Sequence, residues 1–138
     1  MTDTVDEDHA QAFLSLLAAN TNLLHVYDTI VANPTPDPPY VLTYITVSWP
    51  RDGVGTSLTA QQVTVTATAN VHCAGLTPAA ARAVQMQVRS SLLNARPVIT
   101  GRYCSPIKQD DSQVPVKDET TGRPVYDAVS VFSFSSTG

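Results

Sequence analysis

Residues 61–78 read Gln61-Gln-Val-Thr-Val-Thr-Ala-Thr-Ala-Asn70-Val-His-Cys-Ala-Gly75-Leu-Thr-Pro78, and a helical pattern follows as far as Pro97. Val63, Val65, Ala67, Ala69, Val71 and Cys73 alternate with Thr64, Thr66, Thr68, Asn70 and His72. A period of two places the apolar set on one face of a strand and the polar set on the other. β-Branched residues dominate, which suits a pleated, half-buried surface. Gly75 ends the strand. Thr77 then offers a side-chain oxygen as an N-cap, and Pro78 occupies the first helical position, where its missing N–H costs nothing. Ala81, Val84, Val88, Leu92 and Ala95 recur at three- and four-residue steps, predicting an amphipathic helix from Pro78 to about Ala95.

The same pattern extends to both sides of this unit. Tyr40 to Trp49 reads as a strand with Val41, Thr43, Ile45, Val47 and Trp49 opposing Tyr40, Leu42, Tyr44, Thr46 and Ser48. Both of its faces carry apolar residues, so it is expected to be central or covered on both sides. Pro50-Arg-Asp-Gly53-Val-Gly55 is a turn, and a hairpin of 40–49 with 61–73 is the simplest pairing. Pro124 to Ser135 forms a further strand, and Ser136-Thr-Gly138 is expected to fray.

At the N-terminus, Thr4 and Glu7 fit a capping box, and Asp6, Glu7 and Asp8 suit the positive end of a helix dipole. Val5, Phe13, Leu16 and Leu17 recur at helical spacing, predicting a helix over about 4–19. His9 is expected at the surface or boundary, since no partner stands at metal-ligand spacing. Leu23 to Tyr27 is a short strand candidate. Pro34, Pro36, Pro38 and Pro39 hold the next segment extended and read as a rigid connector more readily than a peptide-docking motif. Val98 to Ile107 reads as a strand interrupted at Gly101. Lys108 to Gly122 is a polar segment too long for an ordinary hairpin loop, either mobile or used on a partner.

The 138 residues suffice for one domain with a real core. Apolar content of 43% is ordinary, while charged content of 14% is low against the usual quarter of residues. Neutral polar residues make up much of the remainder and lose water more cheaply than Lys or Glu. That suits large protein contacts, although a soluble domain of unusual composition reads equally well. A net charge of −4 argues against a surface that clamps phosphates, but allows an acidic wall past which DNA slides. Cys73 and Cys104 form no Cys-x-x-Cys pair and read as two reduced thiols in a cytoplasmic product. The acidic N-terminus is the reverse of a signal-peptide n-region, and no apolar run approaches membrane length.

Signatures of chemistry are absent. There is no phosphate-binding Gly-rich loop, no dinucleotide fingerprint and no nucleophile elbow. His9, His25 and His72 are scattered, and His72 cannot act with Cys73, because adjacent strand residues face opposite ways. Asp110, Asp111, Asp118 and Glu119 lack the Gly and bidentate Glu of a calcium loop. No catalytic residue, cofactor or metal is expected. Arg82, Arg89 and Arg96 recur every seven residues as a basic stripe. It reads either as a solvated face or as an intersubunit edge that meets carboxylates of a neighbour.

The order of these parts, with Val26-Tyr-Asp28, Pro39-Tyr-Val-Leu42, Val71-His-Cys73, Gly101-Arg-Tyr-Cys-Ser-Pro-Ile107 and Pro124-Val-Tyr-Asp-Ala-Val-Ser130, resembles the tail terminator (tail completion) proteins of long-tailed bacteriophages. The resemblance is strongest to those of phages infecting actinobacteria and covers nearly the whole chain. It implies an α+β fold: an antiparallel or mixed sheet of about four to five strands carrying two main helices and a long hairpin or loop. It also implies a virion protein made in the host cytoplasm, a hexameric ring that caps the head-proximal end of the tail tube, ends tube polymerisation and meets the head-side connector. DNA would pass its lumen without sequence-specific binding. The family supplies no catalytic residues to carry over. A ring uses two unlike matching faces, and the arginine stripe and the acidic segment with Asp110, Asp111, Lys117, Asp118 and Glu119 are the candidates for them. Two other readings stay open: a head–tail adaptor, head-closure or tube protein, and a small-molecule or peptide-binding α/β module.

Overall fold

β3, Val65–Gly75, runs through the middle of the molecule, with β2, Tyr40–Ser48, on one side and β7, Val125–Thr137, on the other. The computed structural model describes residues 5–23, 25–30, 38–49, 64–118 and 125–138. The expected 40–49/61–73 pairing is present: Tyr40 to Ser48 lie antiparallel to Thr66 to Ala74, with Val41 opposite Cys73 and Ile45 opposite Ala69. β7 pairs antiparallel along the whole of β3, from Val65↔Ser136 to Gly75↔Tyr126. A short β1, Val26–Asp28, lies parallel to β2, which makes the sheet mixed. The connection over 50–63, the connector over 31–37 and the capping Thr4 lie outside the described residues.

Alternation determines which face is inside. Val65, Ala67, Ala69, Val71 and Cys73 are fully or almost fully buried, and Phe132 and Phe134 stand opposite Ala69 and Ala67. Large rings across from small side chains fill the layer without strain. Two helices cover this face: α1, Val5–Ala18, and α2, Pro78–Leu92. α1 buries Val5, His9, Phe13 and Leu17, and Phe13 and His9 both pack on the Phe134 ring. α2 is capped as expected, Thr77 Oγ1 accepting from the Ala80 N–H at 3.0 Å, and it buries Ala81, Val84, Val88 and Leu92. Its first turn sits so close to β3 that a Cβ on Gly75 would lie 2.5 Å from the Ala81 nitrogen. The fold is α+β, with two helices on a mixed sheet.

Five expectations need correction. α2 stops at Leu92, not Ala95: Leu93 turns extended and Asn94 takes a positive φ of 65°. The strand expected over Val98–Ile107 is instead a reversal, Arg102 N–H donating to Ile99 O at 3.0 Å around Gly101 with φ 82°, followed by the two-residue β4, Tyr103–Cys104. Positive φ at the third position of a four-residue turn is what Gly is suited to. The polar segment from Lys108 is not a loop throughout. β5, Lys108–Ser112, and β6, Val116–Asp118, pair antiparallel with successive parts of β7. Charged side chains and the irregularity between Gln109 and Asp111 belong to an edge strand that must not recruit another sheet. The terminal residues do not fray at Ser136, which is 1% exposed inside β7. His9, expected near the surface, is fully buried.

Candidate functional site

The face of the sheet away from the helices is built by the alternate set of side chains. In register it carries Leu42, Tyr44, Thr46 and Ser48 from β2, Thr66, Thr68, Asn70 and His72 from β3, and Asp127, Val129, Val131, Ser133 and Ser135 from β7. Tyr44, Thr46 and Ser48 are exposed, and the four β3 residues are half-buried. Hydroxyls pair across the strands, Thr66 Oγ1 with Ser135 Oγ at 3.3 Å. Leu42, Val129 and Val131 apart, this surface is polar and nearly uncharged, and a depression of about 230 Å³ opens at one end of it among Leu42, Tyr44, His72 and Asp127.

One ionisable pair interrupts it. His72 Nδ1 donates to Asp127 Oδ2 at 2.7 Å, and the Tyr44 ring meets the imidazole edge-on with centroids 5.3 Å apart. The hydrogen bond to Asp127 raises the His72 pKa above its usual value against the opposing effect of burial. Asp127 Oδ1 is buried with no hydrogen-bond partner among the described residues. Asp127 stands opposite Ala74, so the pair clips the end of β3 to β7 diagonally. Sequence reading missed it because 55 residues separate the partners and only the register brings them together. Cys73, one residue along, faces the core and is fully buried. The two side chains are divided by the sheet, as alternation requires.

The expected interface residues do not all come together. Arg82 and Arg89 stand exposed on one face of α2 with Met86 between them, 71% exposed. Arg96 lies beyond the helix end and leaves that face; it borders a depression with Asp8, Gln11 and Leu16 of α1. Arg89 shares a second depression with Leu93 and the β5 residues Lys108, Asp110 and Asp111. Lys108 Nζ lies 3.9 Å from Asp110 Oδ1. Lys117 is exposed in β6, Asp118 ends that strand, and Glu119 lies outside the described residues.

An apolar groove of about 330 Å³ opens between α2 and the β1 side of the sheet, lined by Leu23, Pro39, Tyr40 and Val41 against Leu76, Ala80, Ala83 and Val84. No metal-binding group of three or more His, Cys, Asp or Glu occurs among the described residues, and no helix among them is long and apolar enough to cross a membrane.

No protein-family model and no curated protein matches the chain. Solved structures do match its fold. One chain of a virion of a native gene transfer agent (GTA) particle superposes with a TM-score of 0.64 at 17% identity, covering 94% of this chain and 92% of that one. A second solved chain superposes with a TM-score of 0.57 at 16% identity over 96% of both chains. The two helices on a mixed sheet are therefore a fold that this chain shares, over nearly its whole length, with a chain of a gene transfer agent virion.

Proposed function

We propose that the chain is a structural component of a phage-like particle and acts as a tail terminator. In this reading it closes as a hexameric ring on the head-proximal end of the tail tube, stops tube growth and offers its other side to the head connector. The observation that carries this is the end-to-end likeness to a gene transfer agent virion chain at a TM-score of 0.64. The surfaces are consistent with it. The open sheet face carries neutral hydroxyls in place of lysines or arginines, and a net charge of −4 lets DNA pass without being held. The arginines of α2 and the charged β5–β6 edge provide unlike surfaces for contacts between subunits and with the tube.

The test is to add purified chain to polymerising tail tube protein and image the product. Rings seated at one end of tubes, with tubes shortened as the chain is increased, are expected. Tubes of unchanged length without end density would overturn the reading. Self-polymerisation into long tubes would instead identify a tube protein.

The apolar groove beside α2 favours a second reading, a module that binds a peptide or small apolar ligand. That reading predicts a monomer or dimer, both with tube protein and without it.

A further inference from the structure

The two helices carry opposite charge. α1 contains Asp6, Glu7 and Asp8 and no Lys or Arg; α2 contains Arg82 and Arg89 and no Asp or Glu. Among the described residues neither arginine forms an ion pair. Arg82 and Arg89 are seven residues apart, within about 20° of the same helix face, and Met86 falls between them. Exposed Met flanked by Arg is a composition found at protein interfaces.

The acidic turn has a matching composition. Asp6 Oδ1 accepts from the indole Nε1 of Trp49 at 2.9 Å, so a carboxylate and a half-buried aromatic ring present together. Glu7 stands beside them, tied to Gln11 Nε2 at 2.8 Å. A ring held in place by its own hydrogen bond loses little freedom on docking. It offers a flat surface to an arginine guanidinium and to a methionine sulfur.

Geometry keeps the two surfaces apart within one chain. α1 reaches α2 with its far end, where Asn20 Nδ2 donates to Ser91 Oγ at 2.8 Å. Its first turn lies by contrast beside Ser136, which is opposite Val65 at the start of β3. Arg82 follows Ala81, which packs on Gly75 at the other end of that strand, roughly 30 Å along β3, and α2 carries Met86 and Arg89 back over the sheet from there. Asp110 and Asp111 do not fit as the partner of the arginines. They already line one depression with Arg89, and Asp110 has Lys108 beside it. A head-to-tail contact needs two different surfaces of one body, and rings arise from such contacts.

We infer that the Asp6–Glu7 turn and Trp49 ring of one copy seat on the Arg82–Met86–Arg89 face of the next. This rests on the ring reading and specifies its subunit contact. Sedimentation velocity of the purified chain is the first measurement. Arg82→Glu with Arg89→Glu, or Asp6→Lys with Glu7→Lys, weakens self-association about a hundredfold or more, while all four reversals in one chain restore it. Because the Asp6 substitution also removes the Trp49 bond, a second test leaves Asp6 in place: Glu7→Cys and Met86→Cys on a Cys104→Ser background form disulfide-linked oligomers under mild oxidation, and either cysteine alone does not. Reversals that leave assembly unchanged, a ladder that does not form, or a chain monomeric at every concentration overturns the inference. If rings still close and cap tubes with the reversals in place, the contact falls and the ring reading stands. If the parent chain never caps tubes, the ring reading falls by its own test.

Discussion

His9 Nε2 lies 2.5 Å from Ser136 Oγ, across 127 residues of sequence, and joins the first helix to the last strand. Arg102 Nε also reaches Ser136 Oγ, at 2.8 Å, and a guanidinium only donates. Ser136 Oγ thus accepts from Arg102 and pairs with His9 Nε2 in the core. The His9 Nδ1–H in turn donates to the Val5 carbonyl at 2.6 Å. Both ring nitrogens of this buried histidine are thereby paired. The first prediction follows: Ser136→Ala leaves His9 Nε2 buried without its hydrogen-bond partner and costs about 1–3 kcal/mol of stability. Urea unfolding followed by circular dichroism checks it, and a loss below experimental error would show the network to be incidental.

This network also shows where sequence reading stops. The strands 40–48 and 65–75 and the helix after Thr77 were legible because their signals are local: alternation, a cap, a proline at the first position. The same logic correctly kept His72 and Cys73 on opposite faces. His9 and Ser136 were misjudged because their burial depends on a contact no local pattern encodes. β5 and β6 were hidden for a related reason. Lys108, Asp110, Asp111 and Lys117 look like loop residues, yet charge is what an exposed edge strand carries, and only the unpaired side of β7 calls for one. The arginine stripe was legible for Arg82 and Arg89 but lost Arg96, because the helix ended at Leu92.

The His72–Asp127 pair predicts a pH dependence of stability. The folded-state pKa of His72 is raised, chiefly by the hydrogen bond to Asp127. The folded protein therefore holds a proton that the unfolded chain releases. The pair's contribution is fully present below the ordinary histidine pKa of about 6.5 and is lost as pH rises through the raised folded value. With side chains 31% and 29% exposed, solvent screening limits it to about 0.5–1 kcal/mol. Asp127→Asn should abolish this slope from about pH 6.5 upward. Denaturation midpoints that shift equally in parent and variant would refute the assignment.

Gly75 predicts a steric cost rather than a conformational one. A Cβ there would meet Ala81 N at 2.5 Å, Ala80 C at 2.8 Å and Ala80 Cβ at 2.9 Å, all at the rigid start of α2. Gly75→Ala must push the helix off the sheet, a cost of about 1–3 kcal/mol by analogy with overpacked cores. At Gly101 an added Cβ meets nothing within 4 Å, and the objection is only its φ of 82°. Gly101→Asn, which tolerates positive φ, should therefore be nearly neutral. Equal losses for the two variants would contradict this separation.

The cysteines report on the same core. Cys73 is fully buried, and burial, followed by the negative charge of Asp127, holds its thiol pKa far above the usual range. Cys104 is only partly buried. Burial raises its pKa too, but an Ile99 backbone hydrogen bond and the charges of Arg102 and Arg96 oppose the rise. Alkylation requires the thiolate and access to it. Cys104 is thus expected to label in the folded protein at mildly alkaline pH, while Cys73 labels only through opening of the sheet. The Cys73 rate then follows the opening equilibrium. Ser136→Ala, which destabilises the end of β7 by about 1–3 kcal/mol, should speed it about 5- to 150-fold while leaving Cys104 nearly unchanged. Mass spectrometry of timed alkylation reads both sites at once. If Cys73 labelled as fast as Cys104 in the parent, it could not lie under the helices as described. If it stayed slow in the variant, the His9–Ser136 bond would not be part of what keeps that layer shut.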